Sequence, residues 1–208
     1  MIGMSMADRL VWADCEMTGL DLAKDELIEI AVIVTDYNLK PLDEGISITI
    51  APSPEALEHM NDFVRNMHTA SGLLEDLPNG IPLADAEAQV LDYVRKHVPL
   101  PGQAPLAGNS IGTDRAFLAR QMPTFESHLH YRNIDVSTIK ELTRHWFPRV
   151  YFQAPEKHGN HRALGDILDS IRELEYYRAT SFAAEPGPSS EQAQAVAKAL
   201  SAQDSTGA

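Results

Sequence analysis

Two carboxylates, Asp14 and Glu16, stand two residues apart at the end of an otherwise apolar segment. If that segment is a β-strand, alternate residues point to the same face, so both carboxylates project together. Two like charges so close are unfavourable unless a cation lies between them, and carboxylate oxygens are the ligands that Mg²⁺ and Mn²⁺ prefer. Asp85 and Glu87 have the same spacing in a predicted helix. The pair therefore indicates a metal site mainly through its position in the chain.

A third carboxylate, Asp114, follows a segment that predicts a buried strand, a glycine-bearing turn and the start of a helix. An acidic residue in the first turn of a helix is favourable by itself, because it interacts with the positive end of the helix dipole. The alternative is that Asp114 is brought to the edge of the sheet as a third functional carboxylate. The residues alone leave both interpretations open.

A histidine and an aspartate five residues apart, His161 and Asp166, form the last candidate group. The spacing alone is a weak signal, since His130 and Asp135 share it. Asp166, however, lies beside the apolar stripe of a predicted helix, where a carboxylate without a partner is unfavourable. His161 follows a glycine and an asparagine, so a flexible segment can present its imidazole to a site.

Cys15 is the only cysteine among the 208 residues. Strand alternation places it on the opposite face from its acidic neighbours, in the core, and a nucleophilic role would need an adjacent base. A single cysteine excludes an intrachain disulfide and a cysteine-rich zinc site, so we expect a cytoplasmic protein. No window of roughly 18 apolar residues predicts a membrane span, and the N-terminal residues lack a signal-peptide pattern.

The charge balance counts against long nucleic acids as partners. The chain has 17 Lys+Arg against 30 Asp+Glu, a formal net charge of −13. Binding to a polyanion rests on basic side chains that neutralise phosphates. The acidic excess lies mostly in the first 60 residues, whereas 111–182 is nearly neutral. The sequence predicts either a protein with an acidic surface or, as the more specific alternative, a carboxylate site opposite a modestly basic surface.

Hydrophobic patterning predicts an α/β fold with a mixed sheet. Three early strands in succession suggest an antiparallel meander. Later segments alternate between strands and helices, and a capping box at Thr138–Glu141 predicts one helix start. The predicted strands are 10–16, 27–35, 45–50, 104–108 and 131–135, and the predicted helices are 83–98, 113–122, 138–146 and 161–177.

Aromatic residues divide into two predicted groups. Trp12 and Trp146 lie in periodic segments and are expected in the core. Phe63, Tyr131 and His68 lie in less regular stretches and are the better candidates for stacking on nucleic-acid bases.

The ordered combination of these motifs resembles the DEDDh 3′→5′ exonucleases, which have a ribonuclease H-like fold with a mixed β-sheet flanked by α-helices. The fuller strings are similar to those of oligoribonucleases in particular. They are 12–20 (WADCEMTGL), 108–111 (GNSI), 135–138 (DVST) and 161–167 (HRALGDI). The resemblance covers residues 9–182, the implied exonuclease domain. We expect 1–8 to be a flexible leader and 183–208 a disordered tail, with a transient helix at 191–201.

The resemblance implies a two-metal-ion hydrolase. The implied ligands of two Mg²⁺ or Mn²⁺ ions are Asp14, Glu16, Asp114 and Asp166, and the implied general base is His161. The chemistry agrees, because two such ions lower the pKa of water and stabilise the leaving oxygen. An imidazole with an unperturbed pKa near 6.5 can accept a proton at neutral pH.

The resemblance also implies how substrate is held. Leu20 is the implied wedge against the bases, and the residues near the 3′ nucleotide are Met17, Thr18, Phe63 and His68. Phe63 stands where many relatives have tryptophan. The implied cap over the 5′ phosphate consists of Ser110, Arg132 and Ser137. Tyr131 would stack from a partner subunit, which implies a homodimer.

The predicted function is a 3′→5′ exoribonuclease that hydrolyses very short oligoribonucleotides, especially 5′-phosphorylated dinucleotides, to nucleoside 5′-monophosphates. The alternatives are a DEDDh exonuclease acting on DNA ends or tRNA 3′ ends, a catalytically silent nucleotide-binding module, and a phosphatase with the same metal pair. All five key residues are present, which disfavours the silent module.

Overall fold

The computed structural model describes residues 8–156 and 162–204. Its centre is a five-stranded mixed sheet, as the sequence predicts, and the strand order in the structure is β3-β2-β1-β4-β5. The first three strands form an antiparallel meander, and β4 and β5 run parallel to β1. The strands are β1 (Arg9–Met17), β2 (Leu27–Asp36), β3 (Ile46–Thr49), β4 (Pro105–Gly108) and β5 (His130–Asp135).

Helices cover both faces of the sheet. A 3₁₀ turn at Leu77–Asn79 follows the third of them. The helices are α1 (Pro54–His59), α2 (Asp62–Ala70), α3 (Leu73–Asp76), α4 (Leu83–His97), α5 (Ile111–Gln121), α6 (Pro123–His128), α7 (Val136–Trp146), α8 (Pro148–Tyr151), α9 (Ala163–Ser181) and α10 (Ser190–Asp204).

The alternation of β1 divides the core into two layers. Val11 and Cys15 belong to the layer that contains the apolar residues of α4 and α5, and Trp12 belongs to the layer on the other face, with Ile167 and Ile171 of α9. Cys15 is therefore a core residue, as predicted, and burial raises the pKa of its thiol, which disfavours a nucleophile. The same alternation directs Asp14 and Glu16 to the face of Trp12.

The helix after β5 begins earlier than the sequence predicts. Asp135 is its N-cap, because its Oδ1 accepts a hydrogen bond of 2.9 Å from the backbone N–H of Ser137. The capping box predicted at Thr138–Glu141 is therefore wrong. Trp146, at the end of this helix, was expected in the core but is 66% exposed.

One further prediction differs from the structure. Phe63 and His68 lie on α2, so the expectation that these two occupy less regular stretches is wrong. The helices α1–α3 have only four to nine residues each, too few for a clear apolar period. In the segment where the sequence predicts a transient helix at 191–201, the structure has α10, whose Ala- and Gln-rich sequence has high helix propensity.

Along 8–156 and 162–204, none of the helices has the combination of length and apolarity needed to cross a membrane.

Candidate active site

Three carboxylates converge where β1 ends and α9 begins. Asp14 and Glu16 project from β1 on the face that packs against α9, and Asp166 lies in the first turn of that helix. One carboxylate oxygen from each of the three lies within 4.8 Å of the other two. Three hard oxygen donors in this arrangement are a suitable ligand set for Mg²⁺ or Mn²⁺.

Asp114 is hydrogen-bonded to β1 from α5, which packs on the face of the sheet opposite to α9. It is buried in the first turn of α5, and its Oδ1 accepts a hydrogen bond of 3.0 Å from the backbone N–H of Cys15. Cys15 stands between Asp14 and Glu16, so this bond brings Asp114 to the carboxylate group. Asp114 is thus a first-turn residue of α5 that also lines the pocket of the carboxylates, and its functional role stays a prediction.

Burial and mutual repulsion of the carboxylates raise their pKa values in the metal-free site. Burial, then the charges of Asp114, Glu16 and Asp166, raises the pKa of Asp14 to about 9. Burial and the charges of Asp166 and Glu29 raise the pKa of Glu16 to about 8. Burial also raises the pKa of Asp114 to about 7. A divalent ion among these oxygens would stabilise their charged forms, so the residues present fit a metal centre.

These shifts predict how pH affects the metal-free protein. The folded-state pKa of Asp14 lies far above its usual 3.8, so the folded state holds the proton over a range in which the unfolded state releases it. Stability is therefore lost as pH rises from about 4 towards about 9. In EDTA, we expect the Tm of wild type to fall between about pH 5 and about pH 9, and that of Asp14→Asn to fall less.

Thermal melts across this pH range measure the difference, and a second series with Mn²⁺ provides the control. Mn²⁺ at about pH 8 should raise the Tm of wild type more than that of Asp14→Asn. Parallel Tm curves for the two proteins in EDTA would contradict the assignment of a repelled carboxylate to Asp14.

The carboxylates lie in a pocket of about 380 Å³. Leu20 and Phe63, 74% and 78% exposed, supply apolar side chains at the pocket. Its other lining residues are Asp14, Cys15, Glu16, Met17, Gly19, Val64, Met67, Ser110, Thr113, Asp114 and Asp166. The structure therefore brings Met17, Leu20, Phe63 and Ser110 together with the four carboxylates.

Two predicted substrate-binding residues are completely buried instead. Thr18 holds the loop after β1, since its Oγ1 donates to Asp25 at 2.9 Å and accepts from the backbone N–H of Glu26 at 3.1 Å. His68 packs against the site from inside, with Nε2 2.9 Å from the Met17 carbonyl oxygen and Nδ1 3.8 Å from Glu16 Oε2. A ring in that position offers no face for stacking, so the stacking predicted for His68 is wrong.

Two residues of the predicted phosphate cap, Ser110 and Ser137, are hydrogen-bonded to each other at the start of α5. Ser110 adopts a left-handed conformation with φ of 50°, and its backbone N–H donates to Ser137 Oγ at 2.9 Å. Ser137 Oγ in turn donates to Asn109 Oδ1 at 3.0 Å. Arg132 and Tyr131 are exposed on β5, with the guanidinium carbon 5.3 Å from the centre of the Tyr131 ring. His161, the predicted general base, lies outside the described residues.

Sequence reasoning missed Glu29 and Arg162, which pair next to the carboxylates. Arg162 Nη2 donates to Glu29 Oε1 at 2.8 Å. A signal was present, because Glu29 interrupts the apolar run of β2 and charged residues are almost never fully buried unless paired.

Sequence comparisons relate the chain to exonucleases. A family model described as Exonuclease (RNase_T) matches residues 11–174. An oligoribonuclease of Leifsonia xyli subsp. xyli is 63% identical over 93% of this chain and 94% of its own. An oligoribonuclease of Streptomyces griseus is 61% identical over 95% and 98%.

Solved structures show the same fold at low sequence identity. S. pombe Pop2p in its Mg²⁺- and Mn²⁺-bound form has a TM-score of 0.63 at 15% identity, over 82% of this chain and 83% of its own. E. coli exonuclease I in complex with a dT13 oligonucleotide has a TM-score of 0.60 at 15% identity, over 82% of this chain. The chain spans 41% of that exonuclease I chain. The ribonuclease H-like exonuclease fold expected from the sequence is confirmed.

Proposed function

The chain belongs to the oligoribonuclease family of 3′→5′ exonucleases, and from this premise we propose that it hydrolyses very short RNAs to nucleoside 5′-monophosphates. The observation that carries the proposal is the convergence of Asp14, Glu16 and Asp166 in a pocket with the apolar side chains of Leu20 and Phe63. In the reaction, water attacks the phosphorus and the bond from phosphorus to the 3′ oxygen breaks. The 3′-terminal nucleotide leaves as a 5′-monophosphate.

The acidic cluster and the family both support dependence on divalent metal. We propose that Asp14, Glu16, Asp114 and Asp166 hold two ions, Mg²⁺ or Mn²⁺. When bound, such ions lower the pKa of the attacking water and stabilise the charge that develops on the phosphate and the leaving oxygen. We assign His161 as the group that takes the proton from the water, on the strength of its place in the family motif and the usual pKa of imidazole.

The pocket supports a short substrate. Its volume of about 380 Å³ lies at the lower end of the range for small-molecule pockets. We propose that Leu20 separates the bases, that Phe63 stacks on the 3′ base, and that Ser110, Arg132 and Ser137 hold the 5′ phosphate. Met17 is also proposed to contact the 3′ nucleotide, and the buried Thr18 and His68 are proposed to hold the surrounding backbone without touching the substrate.

The net charge of −13 agrees with this substrate class. Two divalent ions would bring four positive charges to the four site carboxylates. The remaining acidity disfavours long polyanions, which need a broad basic surface, but it permits a ligand with one or two phosphates held locally by Arg132.

We propose that the protein acts as a cytoplasmic homodimer. Tyr131 is 74% exposed on β5, which is an edge strand of the sheet. An exposed aromatic ring at an edge is accessible to a second subunit, and there Tyr131 could stack on the partner's substrate. The single buried Cys15 agrees with a reducing compartment.

Phe63 provides a test of base stacking. Stacking of a base on an aromatic ring contributes roughly 1–3 kcal/mol, so Phe63→Ala should raise the KM for dinucleotides about tenfold. Phe63→Trp should lower the KM, because the indole offers a larger face. Steady-state kinetics check both, with Tyr37→Ala as the control for loss of an exposed aromatic residue from a turn. An unchanged KM in both Phe63 variants would remove Phe63 from the substrate site.

Product analysis tests the reaction itself. The purified protein is incubated with Mn²⁺ or Mg²⁺ and a 5′-phosphorylated diribonucleotide, with EDTA as the metal-free control. We expect metal-dependent release of nucleoside 5′-monophosphates. Release of inorganic phosphate would instead identify a phosphatase, and binding without turnover would identify a silent nucleotide-binding module.

A further inference from the structure

The first turn of α9 is capped by a side chain from another element. Its N-cap residue, Arg162, makes no side-chain cap hydrogen bond. The backbone N–H of Ala163, the first residue of the helix, instead donates to Glu29 Oε2 on β2 at 3.1 Å. Free N–H groups at a helix start need an acceptor, and a carboxylate is a favourable one. The residue that caps α9 is therefore 134 positions away from Ala163 in sequence.

The carboxylate of Glu29 is almost fully buried and is paired with the guanidinium of Arg162. Arg162 donates to Glu29 Oε1 from Nε at 3.1 Å and from Nη2 at 2.8 Å. Ser47 Oγ on β3 donates to the same oxygen at 3.3 Å. The other arm of Arg162, Nη1, lies 2.8 Å from Asp76 Oδ2 at the end of α3. Glu29 and Arg162 thus join β2, β3, α3 and the start of α9.

This pair adjoins the carboxylate cluster from two directions. Glu29 is the residue of β2 that lies opposite Glu16 of β1 in the antiparallel register. Asp166 follows the capped Ala163 within the first turn of α9, so the Glu29 cap sets where that turn meets β1. A small shift of the first turn would move the Asp166 carboxylate away from Asp14 and Glu16.

We propose that Glu29 and Arg162 are positioning residues that hold the first turn of α9 against β1, so that Asp166 meets Asp14 and Glu16 in a geometry that binds metal. The proposal rests on the proposed function, because it concerns the same metal centre.

Stability alone is a weak reason for such a pair. The Glu29 carboxylate is buried and must lose its water, and this cost offsets much of what the ion pair with the partly exposed Arg162 gains. The charge of Glu29 also opposes ionisation of Asp14 and Glu16, whereas Arg162 favours the charged form of Glu16. The geometry accounts for both charges together: Glu29 holds the helix, and Arg162 neutralises Glu29 and contributes a cation beside the site.

The test compares Mn²⁺ binding by titration calorimetry in wild type, Glu29→Gln and Arg162→Lys. Glu29→Gln keeps the size of the side chain but removes the negative charge that caps α9. Arg162→Lys keeps the positive charge but cannot donate from two nitrogens to Glu29 Oε1. Substitution of residues that orient metal ligands typically weakens metal affinity 10- to 100-fold, so we expect Glu29→Gln to weaken Mn²⁺ binding about tenfold or more. Arg162→Lys should have a smaller effect in the same direction. If Glu29→Gln does not fold, the Mn²⁺ affinity of Arg162→Lys is compared with that of wild type instead.

Kinetics with a dinucleotide provide a second measurement that a purely structural role would not affect. At low Mn²⁺ both variants should lose kcat, and excess Mn²⁺ should restore it, with KM within about twofold of wild type. The matched control is Arg172→Gln, which breaks an ion pair of 2.9 Å with Asp169 on the same helix. That control should leave Mn²⁺ affinity unchanged.

Wild-type Mn²⁺ affinity in both variants would overturn the positioning role and leave the proposed function intact. An equal loss of affinity in Arg172→Gln would also overturn it, since any loosening of α9 would then suffice. Failure of wild type to bind Mn²⁺ at all would overturn the proposed function together with this inference.

Discussion

Replacement of Asp166 by alanine is expected to abolish turnover of dinucleotides while the protein stays folded. The variant removes one of the three converging carboxylates, and with it a ligand of the proposed metal centre. Metal stabilisation of the transition state amounts to several kcal/mol, and each 1.36 kcal/mol is a factor of ten in rate. We therefore expect a loss in kcat/KM of about 10³-fold or more.

The fold should survive this change for an electrostatic reason. The charge of Asp166 raises the pKa of both Asp14 and Glu16, so its removal relieves repulsion in the metal-free site. Circular dichroism and the Tm in EDTA check the fold, and Mn²⁺ calorimetry checks the metal site. Asp92→Ala, an exposed carboxylate on α4, is the control and should keep full activity. Full activity in Asp166→Ala would contradict the assignment of Asp166 to the metal centre.

The second large effect is expected at Arg132. Its guanidinium is exposed beside Tyr131 on β5, where it is free to take a phosphate. A hydrogen bond to a charged group contributes about 1.5–3 kcal/mol, so Arg132→Ala should lower kcat/KM for 5′-phosphorylated dinucleotides about 10- to 100-fold. Longer oligomers should lose less, because their 5′ phosphate lies beyond the pocket.

Kinetics on RNAs of two, three, five and seven nucleotides, with and without a 5′ phosphate, measure this effect. In the wild type, removal of the 5′ phosphate from the dinucleotide should lower kcat/KM by about as much as the Arg132→Ala substitution does. In Arg132→Ala, removal of the same phosphate should change kcat/KM little. The control is Arg144→Ala, an exposed arginine on α7. Equal loss at every length would refute the phosphate cap.

The local period of a strand was sufficient to predict that Asp14 and Glu16 project to the same face. Alternation along β1 separates Asp14 and Glu16 from Cys15, and the structure has that separation. Asp114 could be placed at the start of a helix, but its bond to the Cys15 N–H depends on how β1 and α5 pack. A local pattern contains no information about such a contact between elements 99 residues apart.

The same limit explains what sequence reasoning missed. Glu29 pairs with Arg162, 133 residues later, and only the folded chain brings the two side chains together. The start of α7 was misplaced because Thr138 and Asp135 both suit an N-cap, and the hydrogen bond from Ser137 to Asp135 decides between them. The stacking predicted for His68 failed because α2 is too short to show which of its faces is buried.

A length series decides whether the carboxylate pocket serves very short RNAs. The measurement is kcat/KM with saturating Mn²⁺ for 5′-phosphorylated RNAs of two to ten nucleotides, with products resolved by length. We expect the highest value for the dinucleotide and a steep fall with each added nucleotide. Equal or rising values towards ten nucleotides would contradict a site built for dinucleotides and would favour an exonuclease that trims longer ends.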